Sequence, residues 1–195
     1  MMCEIEAALR IAEQSADDLA VALARLTLGM ALVHRPTDAE RDRGQQLLAE
    51  ASDAFQRRRH NLSEVPLVNV YLAHERARRG DRGEAIALMR AAVDHLFREG
   101  RLLIHGVAAT GVLMQTLLDR GSDGDVAEAE AAIDRLARTP ADGVVVRDIW
   151  LLRLRALLAR SRGDDAAYAH YRDRYLDMAR TLGFEGHIAW AEAMP

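Results

Sequence analysis

The residues most capable of chemistry in this chain are seven histidines (His34, His60, His74, His95, His105, His170 and His187) and one cysteine, Cys3. A zinc helix needs two histidines one turn apart with a carboxylate on their face, or sulfur partners at short spacing. No histidine pair here has that spacing, and Cys3 has no second cysteine to work with. His74-Glu75 opens like a metalloprotease helix, but the second histidine is missing. Ser122-Asp123-Gly124-Asp125 is similar to the start of a calcium loop. The ladder of oxygen ligands and the distal glutamate that such a loop requires do not follow it.

All 26 basic side chains are arginines. A phosphate-binding loop depends on its lysine and a Schiff-base enzyme on an amine, so both are excluded within this chain. Serines and histidines are too scattered to pair as nucleophile and base. The sequence thus nominates no catalytic, metal-binding or cofactor-binding residue.

What remains is surface for binding. The run Arg57-Arg58-Arg59-His60 can serve a phosphate or acidic partner, or it can simply close a helix C-terminus favourably. Counting back from the turn glycines, the first helices of successive hairpins offer Asn69, His74, Arg78, Gln115, Asp119, Trp150, Arg153 and Arg160 to a concave groove. Trp150 has two readings. An aromatic beside arginines is a good partner anchor, and the same residue can be a packing element inside the array.

The elements that must position these residues are written in the turns. Turn or capping signals fall at Thr37, Gly80, Gly121 and Gly163, and an offset series near Asn61, Gly100, Ala141 and Gly183, each with a period of about 41 residues. Two interleaved series of equal period mean helix, tight turn, helix, looser turn, repeated. Thr37 to Glu40, Asp81 to Glu84 and Asp125 to Glu128 have capping-box spacing, whereas Asp164 has Ala167 in place of the glutamate.

Behind the caps run apolar stripes at helical spacing. They comprise Ala85, Met89, Ala92, Val93 and Leu96; Val126, Ala129, Ile133 and Leu136; and Tyr168, Tyr171, Tyr175, Met178 and Leu182. The predicted helices are 4–15, 17–33, 38–59, 66–79, 82–99, 102–120, 125–138, 144–162, 165–182 and 186–193. The expected fold is all-α, a right-handed α-solenoid of about four to five two-helix tetratricopeptide-like repeats, forming one domain over residues 1–195. The period is longer than that of an ordinary tetratricopeptide repeat. Ala73, Ala85 and Ala92, however, place small side chains where the helices of a hairpin cross closely.

Composition agrees with helix packing: half the residues are hydrophobic and only 5% aromatic, with Ala and Leu dominant. A net charge of −4, with acids and bases interspersed, gives no nucleic-acid footprint. No stretch is apolar enough for a membrane span, and a lone cysteine favours a reducing cytoplasm. Amphipathic helix begins within a few residues of Met1, without a polar capping element, which points to a piece of a longer chain. An unmatched first helix also gives a route to a homodimer through exposed apolar surface.

The run Ile149-Trp-Leu-Leu-Arg-Leu-Arg-Ala-Leu-Leu-Ala-Arg160, then Gly163-Asp-Asp-Ala-Ala-Tyr168, then Leu182-Gly-Phe-Glu-Gly-His-Ile-Ala-Trp-Ala-Glu-Ala-Met194 carries a family signature. It resembles the C-terminal helical-repeat region of actinobacterial multidomain signalling proteins of the class III adenylate/guanylate cyclase and NTPase type. Leu28 to His34, Arg76 to Asp81 and Ala85 to Ala92 look similar to the same family, so the resemblance covers nearly the whole chain. It implies a non-catalytic regulatory array whose partner is another protein or the upstream NTPase and cyclase domains of the same polypeptide. No catalytic residue carries over, because the βαβ scaffold of the cyclase domain is not in this chain. The alternative expectation is a small-molecule effector sensor with its pocket near Trp150 and Arg153. An autonomous enzyme is a third reading, and it lacks a convergent catalytic set.

Overall fold

A computed structural model describes residues 2–59, 62–101, 105–140 and 144–194, and among them it contains ten α-helices and no strand. The helices are α1 (Met2–Ser15), α2 (Asp18–Leu32), α3 (Asp38–Arg58), α4 (Val65–Arg78), α5 (Arg82–Arg98), α6 (Val107–Arg120), α7 (Asp125–Arg138), α8 (Val145–Ser161), α9 (Asp165–Leu182) and α10 (Glu185–Glu192). A 3-10 turn, Leu62–Glu64, leads into α4. The chain divides into two compact units, Met1–Arg98 and Glu99–Pro195.

In the first unit, α2 pairs with α3 and α4 with α5; α1 lies on α2, and α3 on α4. The α2–α3 crossing depends on Gly29 and Gly44. A Cβ at Gly29 would lie 2.8 Å from Leu48 Cγ, and one at Gly44 would lie 2.9 Å from the Val33 backbone nitrogen. Only glycine lets these two backbones approach so closely. Leu9, Leu28 and Leu32 form a buried cluster beside this crossing, with Ile5, Val21 and Leu47 against it. On α5 the apolar stripe is buried as its spacing predicts: Ala85, Met89, Ala92, Val93 and Leu96 all lie in the core.

In the second unit, α6 pairs with α7 and α8 with α9, while α8 also packs on α6 and α7 and the short α10 returns onto α9. Met114, Leu117, Ile133, Leu136, Ile149, Leu154 and Tyr175 are among its large buried side chains. Of the aromatic stripe on α9, only Tyr175 is fully buried; Tyr168 and Tyr171 are half-buried.

The turns form where their residues predict, with differing chemistry. Gly121 takes φ 64° and donates its N–H to the Leu117 carbonyl at 3.0 Å, closing α6 in the left-handed conformation that glycine adopts without strain. Gly80 and Gly163 also have positive φ. Thr37 caps α3 by accepting from the Glu40 N–H, and its hydroxyl donates to the Glu40 carboxylate at 2.6 Å. Asp164 caps α9 through the Ala167 N–H at 2.9 Å even though the capping glutamate is lacking.

Asp125 departs from the expected cap. The N-cap position is Gly124, and Asp125 is the first helical residue. Its buried carboxylate instead accepts from the Ser122 N–H at 2.8 Å and from Arg120 Nε at 2.9 Å. It thus ties both sides of the α6–α7 turn together. At Asp81 and Glu84, both carboxylates accept from Arg76 Nη2, at 2.5 and 2.8 Å.

The tenfold helix pattern matches the predicted spans to within a residue or two, except that α6 starts at Val107 rather than 102. His105 and Gly106 form a wider turn ahead of it, and residues 102–104 lie outside the described set. The signals expected at Asn61 and Ala141, and His60 of the basic run, also lie outside the described residues.

Candidate functional site

Four of the eight predicted groove residues meet in one hollow of the second unit. Gln115 and Asp119 sit one turn apart on α6, and Arg153 and Arg160 are seven residues apart on α8, so each pair lies along one helical face. The hollow has a volume of about 480 Å³ and is lined by these four with Leu118, Leu157, Ser161, Trp190, Ala193 and Met194. Two helix faces therefore make its sides, and the C-terminal segment around α10 makes the third wall.

Its inner end is held by Arg153. This arginine is only 8% exposed, and Nη2 donates to Gln115 Oε1 at 3.0 Å. Its guanidinium lies 5.2 Å from the Trp150 ring centroid and 4.6 Å from that of Trp190. A planar, weakly hydrated guanidinium suits contact with two indoles that meet edge-on; an ammonium would lose much of the contact and the shape match. At the outer end, Arg160 is exposed and Ser161 lies beside it.

Trp150 takes the packing role. It is 5% exposed, and its six-membered ring fills the space over Gly111 of α6. It also meets His187 and Trp190 edge-on, each at 5.7 Å between centroids. The aromatic that reaches the hollow is Trp190, from α10 in the closing segment. Sequence spacing missed Trp190 as a lining residue because the groove residues were counted on first helices alone. Leu118, Leu157 and Ser161 could have been found, since they lie within one turn of the predicted set on the same helices.

Behind the hollow, Tyr175 Oη and His187 Nδ1 share a 2.8 Å hydrogen bond. Burial lowers His187 to about 4, and the nearby Arg153 charge pushes the same way. Burial also raises the Tyr175 phenol well above its ordinary value, against the opposing effect of Arg153. A neutral imidazole and a protonated phenol therefore form this pair at neutral pH. They brace α9 against α10, with Phe184 6.0 Å from the His187 ring.

The remaining predicted residues belong to the first unit. Asn69 is exposed on α4, and His74 is buried at 7% exposure. Arg78 lines a hollow of about 390 Å³ with Asp38, Arg41, Asp42, Glu75 and Arg79. This hollow is a lattice of ion pairs: Arg41 with Asp38, Arg79 with Asp42, and Arg78 with Glu75 at 3.5 Å. Glu75 is almost fully buried, and that burial raises its carboxyl pKa against the pull of Arg78 and Arg41. Three arginines here face three carboxylates, which leaves little net charge to attract a ligand.

Within the basic run, Arg58 pairs with Asp18 and Arg57 with Asp53 at 3.7 Å, while Arg59 ends α3 with φ 52°. No group of acidic, histidine or cysteine side chains among the described residues could hold a metal ion. No helix of the described residues is long and apolar enough to cross a membrane. No protein family, curated protein or solved structure matches this chain.

Proposed function

We propose that this chain is a helical-repeat binding module, a right-handed array of tetratricopeptide-like hairpins that regulates a multidomain nucleotide-cyclase-like signalling protein. The observation that carries the binding role is the meeting of Gln115, Asp119, Arg153 and Arg160 in a single hollow. The pairing of successive helices into hairpins in both units supports the repeat architecture. The regulatory context rests on the resemblance of the Ile149 to Met194 segments to the repeat regions of such proteins. In this reading the module acts in the cytoplasm, on a protein partner or on the NTPase and cyclase domains of its own polypeptide.

The test adds the purified chain in trans to those NTPase and cyclase domains and follows cyclic nucleotide production. The reading expects a saturable change in rate that R160E in the groove weakens. An unchanged rate at saturating chain, with no association in sedimentation, argues against it.

One observation favours a second reading, effector sensing. The hollow has the size of a small-molecule pocket, with polar groups at both ends and an apolar middle. A rise in Tm specific to one metabolite in a panel supports sensing. A panel with no responder disfavours it.

A further inference from the structure

We propose that the hollow of the second unit is a site for a small organic monocarboxylate, its carboxylate held by Arg160 and its apolar body laid on Leu157 and Trp190. The inference rests on the sensing reading.

Arg160 stands apart among the arginines of α8 and its C-cap. Arg147 binds the Asp148 carboxylate, and Arg153 donates to Gln115. Arg155 lies over the Tyr171 ring, and Arg162 binds Glu130 at 2.5 Å. Arg160 has no such partner among the described residues, yet it lines the hollow. A guanidinium at the mouth of a pocket offers a planar fork that matches a carboxylate in two parallel hydrogen bonds.

The charge of the lining limits the ligand. Arg153 and Arg160 face one acid, Asp119, so the lining has an excess of one positive charge. One negative charge on the ligand balances it. A phosphomonoester, close to two negative charges at neutral pH, would leave an excess of the opposite sign. Arg153, more than nine-tenths buried and in contact with both tryptophan rings, keeps a positive field at the inner end where water screens it least.

Shape sets the rest. Arg153 and Arg160 are seven residues apart on α8, about 10 Å along the helix. Leu157 lies between them, with Trp190 and Met194 across the hollow. A ligand with its carboxylate at the rim therefore extends its body inward over an apolar floor toward Trp190.

The probe is 3-phenylpropionate, with 3-phenylpropanamide and 3-phenylpropylamine as neutral and cationic counterparts of nearly the same shape. Binding to the full chain is read by Tm and by intrinsic fluorescence, since Trp190 lines the hollow and Trp150 touches it in turn. The carboxylate is expected to raise Tm and change the fluorescence, with the amide and amine at least about tenfold weaker.

R160Q is expected to weaken the carboxylate by about tenfold while leaving the Tm of the unliganded protein unchanged, because Arg160 is exposed. R160K should recover part of the loss. R57Q, an exposed arginine of the first unit, should leave affinity unchanged. Equal binding of the three probes, or carboxylate binding indifferent to R160Q, overturns the monocarboxylate site while sensing of another ligand class survives. A broad metabolite panel of every charge type with no responder overturns both.

Discussion

Gly111 offers the sharpest test of how the second unit is assembled. It lies within α6, and a Cβ built on it would fall inside contact distance of three ring carbons of Trp150, one of them at 2.5 Å. The ring has little room to yield. It is 5% exposed, with Trp190 and His187 edge-on at 5.7 Å and the Arg153 guanidinium over it. In Gly111→Ala, a better helix former gains about 1 kcal/mol. Overpacking against a wedged ring costs toward the upper end of its range, about 3 kcal/mol, for a net loss of about 2 kcal/mol.

Gly83→Ala is the matched control. It lies in the first turn of α5, and a Cβ there would meet nothing within 4 Å. It should gain about 0.5–1 kcal/mol. Thermal unfolding of both variants should show Gly111→Ala lowered by about 4–8 °C and Gly83→Ala raised by a few degrees. Gly111→Ala should also alter tryptophan emission, because Trp150 must shift. If Gly111→Ala is as stable as the parent and its emission is unchanged, the close approach of α6 to α8 is not the one described.

Three further outcomes follow from particular side chains. His187 has a folded value of about 4, below its ordinary 6.5, so its contribution to stability is complete above pH 6.5 and is lost as the pH falls from there toward 4, where the unfolded state binds the proton first. Urea titrations across pH 4 to 7 should show this slope, and H187Q should flatten it. Thr110 is fully buried, and its Oγ1 has no hydrogen-bond partner among the described residues. Thr110→Val, of similar shape, should therefore raise stability by up to about 1 kcal/mol in urea unfolding. Asp125→Ala removes the carboxylate shared by Arg120 and the Ser122 N–H, and should cost about 3 kcal/mol in the same assay because the Arg120 charge loses its partner in a part-buried turn.

Much of the fold was legible because helix and turn signals are local. The glycines that end α4, α6 and α8 and the acids that follow them fix boundaries within a few residues, and one-face counting brought Gln115, Asp119, Arg153 and Arg160 together. Depth of burial is not local. Trp150 lies three residues before Arg153, so counting alone puts both on one face, and only the glycine at Gly111 explains why the indole sinks into α6 instead of lining the hollow. A glycine inside an otherwise good helix was the available signal.

Trp190 reaches the hollow because α10 folds back on α9, a tertiary event that no window of sequence encodes. Asp125 was expected at a cap. The left-handed Gly124 takes that position, and burial of the carboxylate with Arg120 takes over its hydrogen bonding.

The proposed binding surface is made by the faces of α6 and α8 around Arg153, closed by Trp190. Nuclear magnetic resonance shift mapping of the full chain with 3-phenylpropionate tests it most directly. Shifts should cluster at Gln115 to Asp119, Arg153 to Ser161 and the Trp190 indole N–H, and fall together in R160Q. Shifts clustered instead around Arg41, Glu75 and Arg78 of the first unit would contradict it.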